Sequence, residues 1–207
     1  MVIVFPDASL ADDSGLLAAG GNLAPETLLS AYRSGIFPWY QRTGEYLWWS
    51  PDPRMVLFPD EFHCSRRLAR RLQQKRFRIS ENQAFADVMW DCAKREEGTW
   101  ILPEMVDAYS RLFELGHAQS VEVWEGDELV GGLYGVQLGH AFFAESMFSR
   151  RTDASKVALA HLAEKARHEE WLFIDCQFHT DHLASLGARE IPRADFLRLL
   201  ESALNPA

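Results

Sequence analysis

The pattern of apolar and polar positions divides the chain into two parts of different texture. Residues 1–60 are rich in Gly, Pro and aromatic side chains and show little regular periodicity. Within them, Pro25 stands at a first helical position and Gly35 just past the end, which predicts one short helix among turns and short extended pieces. We therefore expect a small N-terminal subdomain over residues 1–60.

Residues 61–207 show the periodicities of regular secondary structure. The predicted elements are a basic helix near 65–75, a strand near 76–80, a helix from Asn82 to Arg95, a helix from Pro103 to Gly116, an antiparallel meander over 120–149, a helix over 155–170, a strand over 171–177 and an amphipathic helix after Pro192. Strands grouped in the middle and covered by helices predict an α+β domain with a mixed sheet.

Two of the predicted strands contain polar side chains among large apolar ones. Because side chains alternate across a strand, Asp175 and Gln177 are expected on the same face at the end of the strand over 171–177. Glu145 lies between large apolar neighbours in the meander. A buried carboxylate without a partner is costly, so Glu145 should have a partner from the protein or from a ligand. A buried ion pair or a helix-capping acid would explain such a residue equally well.

Composition and charge add one feature to this picture. The net charge of −9 argues against a nucleic-acid partner, because phosphate binding depends on Lys and Arg. One segment is nevertheless strongly basic, with seven cations within thirteen residues: Arg66, Arg67, Arg70, Arg71, Lys75, Arg76 and Arg78. The simpler interpretation is a solvated helix face, and the alternative is a phosphate-binding surface. Seven Trp and thirteen Phe, several beside Gly or Pro, indicate aromatic surface that could receive a ligand.

The sequence gives little support for a metal site or a cofactor. Cys64, Cys92 and Cys176 are widely spaced and form no CxxC pair, so neither a disulfide framework nor a zinc site is predicted. His179 and His182 lie three residues apart, which matches no common zinc pattern. Asp181, between them, is more simply a helix N-cap. We expect no metal and no cofactor.

Other classes of protein are disfavoured by missing motifs. The chain has no Walker pattern, no G-x-G-x-x-G between a strand and a helix, and no G-x-S-x-G setting for a serine nucleophile. The N-terminal "MVIVFP" is too short for a signal peptide, and no window approaches the roughly twenty apolar residues of a membrane span. We therefore expect a cytoplasmic protein that does not insert into membranes.

Short motifs along nearly the whole chain resemble those of one enzyme family. In order, they are "GLLAAGGNL", "AYRSGIFPW", "LWWSPDPR", "REEGTWI", "GHAQSVEVW", "ELVGGLYGV", "ESMFS", "ASK", "DCQ", "DHLASLGA" and "EIPR". They closely resemble the motifs of bacterial leucyl/phenylalanyl-tRNA–protein transferases. The similarity runs from about Gly15 to Arg193, which makes a chance match very improbable.

The resemblance implies an aminoacyltransferase. Such an enzyme moves Leu or Phe, with Met as a further candidate, from an aminoacyl-tRNA to the N-terminal Lys or Arg of a protein, which marks that protein for degradation by the N-end rule pathway. The C-terminal domain of the family is similar to the N-acetyltransferase (GNAT-type) fold, which agrees with the division near residue 60. We expect a monomer whose partners are Leu-tRNA or Phe-tRNA and the acceptor protein.

The resemblance also implies roles for individual residues. It places catalytic side chains at Asp175 and Gln177, with Glu145 beside the pocket. The pocket for the transferred side chain is implied at Trp39, Trp100, Leu133, Phe142, Ala144, Met147 and Ile174. Strand alternation puts Phe142 and Met147 on opposite faces, so either a bulge intervenes or one of them lines a different wall. The basic segment becomes the candidate tRNA-binding surface, through Arg66, Arg67, Arg70, Arg71, Lys75 and Arg76.

Two other hypotheses follow from parts of the sequence. An acyl-CoA-dependent acetyltransferase would need a Gly-rich loop for the pyrophosphate before the helix at 155, and "SRRTDASK" contains no glycine. A non-catalytic RNA-binding module would use the basic segment but would leave Asp175 and Gln177 without a role. In the transferase reading, Asp175 orients the attacking amine and is a candidate proton acceptor, with the ribose hydroxyl as the alternative.

Overall fold

The computed structural model describes residues 3–94 and 98–205. The first three residues of the motif "REEGTWI", at positions 95–97, lie outside these ranges. The predicted helix end at Arg95 therefore lies outside them too. Within the described residues, no helix is both long enough and apolar enough to cross a membrane.

The first part of the chain forms a small antiparallel sheet and one helix. Its strands are β1 (Leu16–Ala19), β2 (Phe37–Pro38) and β3 (Leu47–Trp49), in the order β1-β3-β2, and its helix is α1 (Pro25–Arg33). Pro25 begins α1 as predicted, because its missing N–H would have no intrahelical partner there. Gly35 follows the helix with φ of 74°, a left-handed backbone conformation that favours glycine, and a Cβ atom there would lie 2.6 Å from the end of the Leu197 side chain.

The rest of the chain builds a seven-stranded mixed sheet. Its strands are β4 (Arg54–Leu57), β5 (Arg78–Glu81), β6 (Ala118–Glu125), β7 (Glu128–Leu138), β8 (Ala141–Ser149), β9 (Phe173–Gln177) and β10 (Arg189–Ile191), in the order β10-β4-β9-β8-β7-β6-β5. The β8–β9 pair is parallel and the other pairs are antiparallel. The predicted α+β class with a mixed sheet is confirmed, and so is the meander, which is β6-β7-β8.

The helices occupy the predicted places with small differences at their ends. They are α2 (Arg66–Gln73), α3 (Phe85–Ala93), α4 (Pro103–Glu114), α5 (Ala154–His168), α6 (Asp181–Ala184) and α7 (Arg193–Leu204). The side chain of Thr180, not of Asp181, caps α6 by accepting from the backbone N–H of Leu183. The strand predicted over 171–177 begins at Phe173, because Trp171 belongs to the turn that follows α5.

Two apolar cores lie on opposite faces of the large sheet. One contains Phe143 and Phe173 from the sheet together with side chains of α1, α3, α4 and α7. The other contains Phe142 and Ile174 together with side chains of α5. The first core also includes residues of the N-terminal part such as Tyr32, so the two parts of the chain share apolar packing. The division near residue 60 stays a prediction; the strand β4, which precedes that position, pairs with β9 in the large sheet.

Two β-bulges in the sheet lie at the candidate site. In β8, Ala144 pairs with Gly135 and Ser146 with Tyr134, so Glu145 is the extra residue of a β-bulge. In β9, Asp175 pairs with Val56 and Gln177 with Met55, so Cys176 is the extra residue of a second bulge. The parallel β8–β9 pairing ends at Phe143 and Asp175, immediately before both bulges.

Candidate active site

A cavity of about 490 Å³ lies where β8 and β9 separate. It is lined mainly by apolar side chains from the β2 region, β8, β9 and α5. The predicted site residues that line it are Trp39, Trp100, Ala144, Glu145, Met147 and Gln177. Ala144 and Met147 both reach the cavity side of the sheet because the bulge at Glu145 shifts the alternation by one residue.

Three of the residues implied as pocket residues lie behind the cavity wall. Leu133, Phe142 and Ile174 are fully buried in the core that α5 covers and are not among the lining residues. The ring of Phe142 stacks on Trp171, with ring centroids 5.3 Å apart. These side chains therefore support the wall rather than forming its surface.

Asp175 is fully buried and tightly paired. Arg54 Nε donates to Asp175 Oδ1 at 2.8 Å, and Arg54 Nη2 donates to Oδ2 at 2.6 Å. The guanidinium is itself buried, lies over the rings of Phe37 and Phe196, and donates to the carbonyl of Gly35. Both Asp175 oxygens are engaged, so this carboxylate is held in one position and does not line the cavity.

Gln177 connects the ends of the two strands at the cavity. Its backbone has φ of 59°, and its N–H donates to Asp175 Oδ1 at 3.0 Å. In the amide orientation that satisfies its neighbours, the side-chain nitrogen donates to the carbonyl oxygens of Cys176 and Ala144, at 3.1 and 3.0 Å. Asp175 and Gln177 are thus linked by a hydrogen bond, but the bulge between them leaves only Gln177 at the cavity.

Glu145 lines the cavity, and its two carboxylate oxygens have different surroundings. Tyr109 Oη donates to Oε2 at 3.2 Å, and Tyr109 in turn hydrogen-bonds the hydroxyl of Tyr32. Within the described residues, buried Oε1 has no hydrogen-bond partner. Burial raises the pKa of Glu145 to about 8, and the charge of Asp175 adds to this effect. The hydroxyls of Tyr32 and Tyr109 and the charge of Arg54 lower this pKa and so oppose the effect of burial.

Several residues of the site were missed by the sequence analysis. Leu159 of α5, together with Phe37, Cys176, Phe178, Thr180, His182 and Leu183, also lines the cavity. Phe178 packs on Trp39 with ring centroids 5.3 Å apart.

The partner of Asp175 was also missed by the sequence analysis. Arg54 lies in the motif "LWWSPDPR", but 121 positions separate the pair in sequence, so no local pattern could join them.

The two histidines of the turn after β9 have different surroundings. His182 lines the cavity, and burial together with the charge of Lys156 lowers its pKa. His179 is about half-exposed and lies within 4 Å of Asp181 and Glu190. Over the described ranges, no group of three or more His, Cys, Asp or Glu side chains is arranged to hold a metal ion.

The basic segment forms an exposed surface on α2 and at the start of β5. Arg67 pairs with Asp153 at 3.1 Å, and Arg76 pairs with Glu125. Arg66, Arg70 and Lys75 make no ion pair with any described residue. Those three cations are therefore available to an external anion.

Comparison with known proteins gives a consistent family match. The profile of the family described as leucyl/phenylalanyl-tRNA protein transferase matches residues 56–201, and that of its N-terminal domain matches residues 21–52. The chain is 55% identical to a leucyl/phenylalanyl-tRNA–protein transferase of Anaeromyxobacter sp. (strain Fw109-5), over 98% of this chain and 88% of the relative. It is also 55% identical to the protein of that name from Desulfatibacillum aliphaticivorans, over the same shares of the two chains.

Solved structures with a similar arrangement are more distant. A GCN5-related N-acetyltransferase from Kribbella flavida matches with a TM-score of 0.42 and 10% identity, over 82% of this chain and 61% of that chain. L-PGS from Bacillus licheniformis matches with a TM-score of 0.42 and 12% identity, over 78% of this chain and 55% of that chain. Similarity at this level carries no argument about activity.

Proposed function

The chain belongs to the leucyl/phenylalanyl-tRNA–protein transferase family, and we propose that it transfers Leu or Phe from an aminoacyl-tRNA to the N-terminal Lys or Arg of an acceptor protein. The observation that carries this proposal is the cavity where β8 and β9 separate. Its wall is apolar, and the polar groups of Glu145 and Gln177 lie at the same place. Such a cavity can bind an apolar side chain and hold reacting polar groups beside it.

The wall of the cavity supports selection for large apolar side chains. Trp39, Trp100 and Met147 offer aromatic and thioether surface, which would penalise a polar side chain that loses its hydration. One methylene more or less changes binding by only about 1–3 kcal/mol, so the cavity should accept Leu and Phe and also tolerate Met.

The chemistry of the reaction requires little more than positioning and one proton acceptor. An aminoacyl ester is already activated, and its aminolysis to a peptide bond is favourable, so holding the ester and the amine together is the main task. Gln177 bridges β8 and β9 beside the cavity, and the Arg54–Asp175 pair fixes the backbone N–H of Gln177. We infer that this network positions the reacting groups.

The basic segment supports a place for the tRNA. The exposed cations of α2 would contact phosphates without reading the base sequence. The acidic remainder of the chain, which gives the net charge of −9, would favour a basic N-terminus as the acceptor. We further propose that the protein is a cytoplasmic monomer with a domain boundary near residue 60. The transfer would mark the acceptor protein for N-end rule degradation.

One assay separates this proposal from the alternatives. The protein is incubated with an Arg-starting peptide and, in parallel reactions, with labelled Phe-tRNA, Leu-tRNA or acetyl-CoA. We expect label from Phe-tRNA and Leu-tRNA on the peptide, and none on the same peptide with an acetylated N-terminus. Transfer from acetyl-CoA alone would indicate an acetyltransferase instead, and tRNA binding without transfer would indicate an RNA-binding module.

A further inference from the structure

A lysine without a partner inside the protein lies beside the cavity. Lys156 is on the first turn of α5, and Leu159, three residues further along the same face of the helix, lines the cavity. Lys156 is partly exposed, and its ammonium makes no ion pair or hydrogen bond with any described residue. Its charge is therefore available to a ligand.

The neighbour of Lys156 locates it at the mouth of the cavity. His182 of α6 lines the cavity and is itself exposed, so it lies where the cavity opens to solvent. Partial burial of the ring and the nearby charge of Lys156 lower the pKa of His182, so the imidazole is neutral at pH 7. Lys156, rather than His182, supplies positive charge at this edge.

The basic helix α2 meets the chain close to the same edge. Arg67 and Arg71 pair with Asp153 at 3.1 and 3.9 Å, and Asp153 is the residue directly before α5. Lys156 follows three residues later. Positive charge therefore continues from the candidate tRNA-binding surface, past the start of α5, to the cavity.

We propose that Lys156 binds the phosphate on the 5′ side of the terminal nucleotide of the donor tRNA and thereby positions the aminoacyl ester. The inference rests on the proposed transfer reaction and names a substrate contact of that same site. The ester is carried by the ribose of the terminal nucleotide. When the transferred side chain occupies the cavity, the phosphate of that nucleotide lies near the mouth, where an ammonium group can bind it.

The charges of the two substrates favour the tRNA as the ligand of Lys156. The proposed acceptor has a terminal ammonium and a Lys or Arg side chain, and placing either beside Lys156 would be unfavourable. The donor supplies a negative charge at every phosphate. A phosphate contact also carries no information about the base, so it serves Leu-tRNA and Phe-tRNA equally.

The first experiment compares two labelled minimal donors that differ by this phosphate alone. They are 3′-O-phenylalanyl-adenosine and the same compound with a 5′-phosphate, and the acceptor is an Arg-starting peptide. With the unsubstituted protein we expect the phosphate to raise kcat/KM by about 10–100-fold, as for a hydrogen bond to a charged group. Lys156→Met keeps the apolar stem without the charge. We expect it to abolish this gain and to leave kcat/KM for the phosphate-free donor within twofold.

Two further variants show whether the charge itself is responsible. Lys156→Arg should restore most of the gain, because a guanidinium also binds phosphate. Arg198→Ala is the matched control, because it removes an exposed cation of α7 that pairs with Asp195, and it should keep the parent gain. An equal loss for both donors in Lys156→Met would mean a role in the fold alone and would overturn the inference. A parent protein that uses both donors equally well would overturn it too.

The second experiment uses the full-length donor and does not depend on transfer. Binding of Phe-tRNA is measured against salt, and in Lys156→Met we expect a plot of log affinity against log salt that is flatter by about 0.7, the contribution of one phosphate of a single strand. An unchanged slope would contradict the contact. If the unsubstituted protein transfers no label from Phe-tRNA, the proposed function fails, whereas transfer and binding that are insensitive to Lys156→Met remove only the phosphate contact.

Discussion

Asp175 and Glu145 lie beside the same cavity, next to bulges in neighbouring strands, yet their surroundings are opposite. Asp175 belongs to a closed region in which the buried guanidinium of Arg54 pairs with it and lies over the ring of Phe196. Glu145 belongs to the cavity wall, with Ala144, Met147 and Gln177. Both Asp175 oxygens accept hydrogen bonds from Arg54, whereas Glu145 Oε1 has no hydrogen-bond partner among the described residues.

Hydrogen-bond partners, more than residue type, therefore distinguish the two acids. Both acids interrupt apolar runs in the sequence and are equivalent on that ground. The bidentate contact with Arg54 fixes Asp175. Tyr109 donates to Glu145 Oε2, whereas Oε1 is buried without a hydrogen-bond partner among the described residues.

Removing Arg54 should cause the largest loss of stability, because it leaves the buried Asp175 without its partner. In Arg54→Ala, the buried carboxylate of Asp175 loses its counter-charge, and we expect the free energy of unfolding to fall by about 3–5 kcal/mol. Urea denaturation at pH 7 measures the change. Arg198→Ala is the control, because its ion pair with Asp195 is exposed and should contribute less than about 1 kcal/mol. Equal effects of the two substitutions would show that the Arg54–Asp175 pair is not critical to the fold.

Two further substitutions compare a residue that lines the cavity with a buried residue behind the lining. Leu133→Ala should cost about 2–5 kcal/mol of stability, because the residue is fully buried, and should leave the preference between Phe-tRNA and Leu-tRNA unchanged. Met147→Ala enlarges the cavity itself, so we expect it to change that preference by about 10–200-fold. Denaturation and competition between the two donors give the two readouts. A Leu133→Ala protein with altered donor preference would place that residue at the pocket surface.

The smallest expected effect lies outside both regions, on α2. Replacing Arg66 and Arg70 together by Ala removes two exposed cations that have no ion pair among the described residues. We expect weaker tRNA binding and a plot of log affinity against log salt that is flatter by about 1.4–1.8, since each lost phosphate contact contributes about 0.7–0.9. Stability and the rate at saturating tRNA should be unchanged. An unchanged salt slope would exclude this surface from tRNA binding.

Local sequence patterns predicted most of the secondary structure. Pro25 and Pro103 begin helices as expected, and the meander follows the alternation and the turns of residues 120–149. The β8 bulge was one of the two alternatives that alternation left open for Phe142 and Met147, but the β9 bulge was not predicted, because an extra residue is visible only against its partner strand. For this reason the sequence placed Asp175 and Gln177 together on one face, while the structure brings only Gln177 to the cavity.

The α+β class, the family and the residue types available for chemistry follow from periodicity and from motifs of neighbouring residues, so they can be read along the chain. The partners of each side chain depend on contacts between distant segments. Arg54 meets Asp175 across 121 positions, and Tyr109 meets Glu145 across 36. Such contacts set burial, hydrogen bonding and therefore pKa, and they arise only when distant segments pack together.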